Sequence, residues 1–181
     1  MSPTTQSVLL ERLGEVLRSV AQREILGRFQ KLAPHDVMSK PSQDDPTDLV
    51  TAADRAAEAE LGVRLRELVP GSSIVGEEAV AADPSVLERL RGSIPVWVVD
   101  PLDGTTNFAH GLPIFCSSLA LEVHGRAVVA AVYDPNRREL FTAERGAERS
   151  EPRSGAPAGL ARRGEETESP RCARSASPRL P

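Results

Sequence analysis

Aromatic side chains make up only 3% of the 181 residues, with one tryptophan, one tyrosine and four phenylalanines. A core built from this chain must therefore rest on Leu, Val and Ala. Cysteine is as scarce. Cys116 lies in an apolar run and Cys172 in a polar one, a pair with the spacing of neither a disulfide framework nor a metal site. No apolar run approaches the ~20 residues of a membrane span. The N-terminus MSPTTQSVLLERLGEV has no basic stretch followed by an apolar one, so no membrane association and a cytoplasmic location are expected. A basic stripe is missing too. The net charge is −4, divided into −7 for residues 1–148 and +3 for residues 149–181, where seven arginines face four glutamates. An acidic body argues against nucleic acid as a substrate.

What is present centres on PVWVVDPLDGTTNF, Pro95 to Phe108. Val96 to Val99 form a continuous apolar block of the kind that suits a strand buried on both faces. Asp100 is held extended by the proline after it. Asp103 follows three residues later, so a tight turn through Pro101 and Leu102 is expected to aim both carboxylates and the Leu102 carbonyl at one point. Three hard oxygens there suit Mg2+, which takes one or two carboxylates and completes its octahedron with water and substrate phosphate. Gly104 permits a close turn, and Thr105 and Thr106 read as capping residues of a helix that starts here. The free N–H groups of Gly104, Thr105 and Thr106 would then hold phosphate oxygens. Taken singly, an Asp-Pro turn and an Asp-Gly turn are ordinary loop signals.

The remaining elements frame this run. Leu9, Leu13, Val16, Leu17, Val20, Ile25 and Phe29 recur at helical spacing, which predicts an amphipathic helix over about 7–30. KPSQDDPT, from Lys40, is a proline-broken loop, and DLVTAAD from Asp48 opens a second helix ending near Val69. On local grounds Asp48 or Thr51 caps that helix and Asp54 satisfies its dipole. Ile74 and Val75 lead as a strand into Gly76-Glu77-Glu78, and a short helix and loop follow around Val86, Leu87 and Leu90. Segments 114–123, 127–133 and 139–143 predict an antiparallel meander, with His124-Gly125-Arg126 as its first hairpin connection. Cys116 reads as a small buried hydrophobe, and His110 as a structural turn residue.

DLVT followed by Ala-Ala-Asp, then Gly-Glu-Glu, then DPLDGTTNF, in that order, resemble three motifs of the inositol monophosphatase family of magnesium-dependent phosphomonoesterases. The resemblance implies an α+β fold, a layered α/β sandwich of the inositol monophosphatase/fructose-bisphosphatase type. Residues 1–147 would form its N-terminal, metal-binding portion. It implies Mg2+ held by Glu77, Asp100, the Leu102 carbonyl and Asp103. Thr105, oriented by Asp54, would activate a metal-bound water, with Glu77 counted among the catalytic groups. Glu78 would lend charge behind Glu77, and Lys40 would belong to a loop that closes over a metal. The implied substrate is a small phosphate ester, myo-inositol 1-phosphate or a related sugar phosphate. Family members form homodimers, an arrangement not assumed for this chain.

From Glu148 onward the sequence contains no Ile, Val, Phe, Tyr, Trp or Met. Such Arg/Pro/Ser-rich text cannot bury enough apolar surface to order itself, so residues 148–181 are expected to be a disordered tail. The family's W-D-x-A-A-G motif, a source of one further metal aspartate, has no counterpart, since Trp97 is the only tryptophan. The resemblance thus implies a chain truncated or frameshifted after about residue 147. A catalytically inactive remnant that at most binds metal or a partner protein is the competing expectation.

Overall fold

A computed structural model describes residues 5–39 and 49–146. Lys40, Asp48 and the tail after Gly146 lie outside them.

The first helix, α1 (Thr5–Val20), passes directly into a wider π turn over Ala21–Leu26. Leu13, Val16, Leu17, Val20, Ala21 and Ile25 are all buried. The apolar stripe therefore persists, but the α-helix stops ten residues short of Gln30. The four-residue step from Ala21 to Ile25 fits either winding, which is why periodicity alone reads one long helix. A two-stranded ribbon follows, β1 (Val37–Ser39) antiparallel to β2 (Leu49–Thr51). The LVT of the DLVT segment is thus a strand, and α2 (Ala52–Leu68) begins only after it. Thr51 is its N-cap, with Oγ1 accepting from Ala53 N at 3.1 Å. α2 buries Ala53, Ala57, Leu61 and Leu65 against α1 and the main sheet.

That sheet has the order β3-β4-β5-β6-β7, comprising β3 (Ser73–Gly76), β4 (Val96–Asp103), β5 (Cys116–Val123), β6 (Arg126–Asp134) and β7 (Glu139–Glu144). β3 runs parallel to β4, and the other neighbours are antiparallel. The meander is as the sequence predicts, except that Arg126, expected in the first connection, already pairs with Val123 as the first residue of β6. His124 and Gly125, at φ 53° and 73°, make its first turn, the pair of left-handed residues that a tight two-residue hairpin demands. The inner face carries Trp97, Val99, Leu119, Leu121, Val129, Ala131 and Tyr133 into the core under α1 and α2. On the outer face, α3 (Glu77–Ala82) and a 3-10 segment (Pro84–Arg91) cover only the β3–β4 end, where Val75, Val86 and Val96 form a second cluster. Val98, Val132 and Phe141 remain exposed. The VWVV block is accordingly buried at three positions and open at Val98, because that part of the outer face carries no covering element among the described residues.

Candidate active site

Two features of the sheet bring the carboxylates together. The parallel register sets Gly76 beside Val99, so the chain leaves β3 at Glu77 next to the point where β4 reaches Asp100. Asp100 pairs with Ser118 and Asp103 with Cys116, three steps on β4 against two on β5. That extra residue is a β-bulge. In a regular strand residues 100 and 103 would face opposite sides, and the bulge turns them to one. The expected tight turn is therefore a bulged strand that continues through Asp103, with the Ser117 hydroxyl donating to the Pro101 carbonyl at 2.7 Å.

Gly104 ends the strand at φ +98° and serves as N-cap of α4 (Thr105–Ala109). Thr105 and Thr106 do not cap this helix as expected; they are its first residues. Thr105 Oγ1 lies 2.8 Å from Asp54 Oδ1 and 3.0 Å from the Leu102 carbonyl oxygen. A hydroxyl has one hydrogen and both neighbours are acceptors, so any cation that occupied the Leu102 carbonyl would direct that hydrogen to Asp54. Asp54 is fully buried, and its Oδ2 accepts from Thr51 N at 2.8 Å and Thr51 Oγ1 at 2.5 Å. Burial pushes the Asp54 carboxyl up, against the hydrogen bonds from Thr51 and Thr105 that pull it down. It is a stronger proton acceptor than an ordinary aspartate.

Glu77, Asp100, Leu102, Asp103, Gly104, Thr105, Thr106 and Asn107 line one open cavity of about 250 Å³. Asp100 is pushed up to about 7, first by burial, then by the neighbouring Glu77 charge and hydrogen bond and by Asp103. The Leu102 N–H, 3.1 Å from Asp100 Oδ1, offsets this only in part. A divalent cation among these carboxylates would oppose that rise.

Glu78 does not line this cavity. It borders a separate one of about 350 Å³ with Arg55, Glu58, Arg66 and Arg89. Cys116, read from sequence as a buried hydrophobe, is partly exposed at the bulge, with Sγ 3.7 Å from Asp103 Oδ2. Burial, and after it the neighbouring Asp103 carboxylate, raise its thiol to about 11. His110 stays apart, with Nδ1 on the Thr106 carbonyl at 2.7 Å. Sequence reading also missed the support under α4. Phe29, Phe108 and Phe115 pack with ring centroids 5.0–5.5 Å apart, and Gln30 Nε2 donates to the Gly111 carbonyl at 3.1 Å.

The sequence matches the profile of the inositol monophosphatase family over residues 5–170. The chain belongs to the inositol monophosphatase family. Among curated relatives, Nus factor SuhB of Pseudomonas aeruginosa is 44% identical over 118 residues, covering 65% of this chain and 42% of that protein. Inositol monophosphatase 2 of Solanum lycopersicum is 45% identical over 96 residues, covering 53% and 36%. The crystal structure of the extragenic suppressor protein SuhB from Bartonella henselae superposes with a TM-score of 0.58 at 36% identity, covering 78% of this chain and 49% of that one. The chain spans less than half the length of each of these relatives.

Membership implies a metal-dependent phosphatase fold, and the donor set fits a hard divalent cation. All the donors are oxygens, and three are carboxylates in mutual contact or repulsion. Among the described residues no three acidic, His or Cys side chains close into a finished cage. No helix among the described residues is long and apolar enough to cross a membrane.

Proposed function

We propose that this cavity hydrolyses a small phosphate monoester in a magnesium-dependent reaction, with myo-inositol 1-phosphate as the first substrate to test. The observation that carries the reading is the Thr105 hydroxyl held against Asp54 at the wall of a cavity that Glu77, Asp100 and Asp103 share. Those three carboxylates and the Leu102 carbonyl are the groups that would hold magnesium. When bound, the cation supplies charge neutralisation at the phosphate and a water of lowered pKa. Thr105 Oγ1 accepts a hydrogen bond from the attacking water while its own hydrogen points to Asp54 Oδ1. As the water oxygen attacks phosphorus, its proton passes to Thr105 and the Thr105 proton to Asp54. The phosphorus–oxygen ester bond breaks, the departing alkoxide takes a proton from solvent water to leave as the alcohol, and Asp54 returns its proton to solvent. Gly104 caps α4 and Thr105 and Thr106 open it, and their N–H groups, which an α-helix leaves without an intrahelical partner, would hold phosphate oxygens.

Release of phosphate from myo-inositol 1-phosphate by the purified chain, with and without Mg2+, tests the proposal. Asp100→Asn and Asp103→Asn are expected to remove it. Turnover unchanged in Asp103→Asn would sink the ligand assignment. The likeness to Nus factor SuhB favours a second reading, a non-catalytic protein that binds metal or a protein partner. Its signature is a folded chain that binds Mg2+ and releases no phosphate.

A further inference from the structure

Glu58 has no part in the motifs above, yet it grips the backbone at the position of Glu77. One helical turn after Asp54 on α2, its Oε2 accepts from Glu78 N at 2.8 Å and its Oε1 from Ala79 N at 3.0 Å. These are the N–H groups of the second and third residues of α3, and Glu77 is the first. The residue before Glu77 is Gly76, where an added Cβ would lie 2.3 Å from the Glu58 carboxyl carbon. A side chain at position 76 would therefore have to push the Glu58 carboxylate away from the N–H groups it accepts from. Glu77 is thus fixed from both sides, by the ladder between Gly76 and Val99 and by Glu58 on the two residues that follow.

We infer that Glu58 is a positioning residue for the Glu77 carboxylate, and that Gly76 keeps open the room it needs. The inference rests on the proposal that Glu77 ligates a divalent cation. One helix then serves both sides of the cavity, Asp54 orienting the Thr105 hydroxyl and Glu58 orienting the Glu77 segment. Glutamine at position 58 would keep one acceptor oxygen and turn an amide N–H toward a backbone N–H, so one of the two bonds would be lost. Loss of the groups that hold a ligand in place typically weakens metal binding by about 10–100-fold.

The test is a titration of the full chain with Mn2+, followed by electron paramagnetic resonance of the free ion, on the wild type, Glu58→Gln, Gly76→Ala and Asp83→Ala. Asp83 also caps with a carboxylate, its Oδ1 accepting from Ser85 N at 2.9 Å, and it does not line the cavity. It controls for lost stability alone. Glu58→Gln and Gly76→Ala are expected to raise the Mn2+ dissociation constant about tenfold or more. Asp83→Ala is expected to lower the melting temperature and leave Mn2+ binding unchanged. Wild-type affinity in a folded Glu58→Gln protein overturns the inference and leaves the metal assignment standing. Should that variant not fold, wild-type affinity in Gly76→Ala overturns it equally. A wild-type chain that binds no Mn2+ overturns the metal assignment, and the inference with it.

Discussion

Asp54 and Thr105 are 51 positions apart in sequence, and their oxygens meet at 2.8 Å where the first turn of α2 touches the first turn of α4. The Asp54 Oδ2 atom is already committed to the Thr51 N–H and hydroxyl. In Asp54→Asn the amide oxygen therefore takes the Thr51 side, and the amide nitrogen faces Thr105. The Thr105 hydrogen then turns to the Leu102 carbonyl, and the proton acceptor is gone. If the proposed hydrolysis holds, kcat is expected to fall about 10²–10⁴-fold, the usual worth of a positioned acid–base group, with KM little changed. Thr105→Ala should fall into the same range. Because the two groups act as one relay, the double variant should be no slower than the worse single one. Additive losses in steady-state kinetics would show that they act separately.

The crowding of carboxylates sets a pH dependence that magnesium should reverse. An unfolded chain holds Asp100 ionised above about pH 4. The folded, metal-free chain keeps its proton up to about 7. Between those values the folded state binds the extra proton, so this group's contribution makes stability fall as pH rises from about 4 to about 7. Above 7 the penalty is complete, and below 4 the dependence disappears. Saturating Mg2+ at pH 8 should raise the melting temperature far more than the same Mg2+ at pH 5, where the proton competes with the cation. Scanning calorimetry at both pH values checks this. An equal shift at both would remove Asp100 from the binding site.

Much of this fold was legible in the sequence because hydrophobic period and turn chemistry are local. The meander of β5, β6 and β7 follows from alternation and from His124-Gly125, and α1 from its apolar stripe. The candidate site was legible for a different reason. Asp100, Asp103 and Thr105 sit in one nine-residue run, while Glu77 and Asp54 were placed only by resemblance. No local signal could show the bulge, since it exists only as a register between β4 and β5. Glu58 was invisible for the same cause: its partners are 20 and 21 residues away and are backbone N–H groups, which leave no trace in residue identity. The LVT strand was lost to the helix after it, because three residues are too few to display a period.

The scarcity of aromatics makes Phe108 conspicuous. It is 1% exposed, lies between Phe29 and Phe115, and belongs to the short helix that carries Thr105. Phe108→Ala is expected to cost about 3–5 kcal/mol, the range for truncating a buried aromatic. Phe108→Leu, which retains most of the volume, should cost less. Urea denaturation gives both values. A loss below about 1 kcal/mol for the alanine variant would mean the three rings do not hold α4 to the core.

Gly104 joins the last metal-site candidate to the first residue of α4, and two separate constraints select glycine there. Its φ of +98° belongs to the left-handed region, which costs an L-residue roughly 1–2 kcal/mol. A Cβ would also lie 2.8 Å from the Ile114 carbonyl oxygen and 3.2 Å from Phe115 Cα. Both neighbours are backbone, so neither yields by changing rotamer. Gly104→Ala should therefore destabilise the fold by more than the left-handed strain alone, about 2–4 kcal/mol with the contact included. The bulge and α4 would have to separate to accept the methyl group, which moves Asp103 away from Thr105. Mn2+ affinity and stability are thus expected to fall together in this variant, whereas Phe108→Leu should lose stability with little change in affinity. Titration and denaturation on the same two preparations separate the effects. A Gly104→Ala protein as stable as the wild type would show that the left-handed turn at this junction relaxes at no cost.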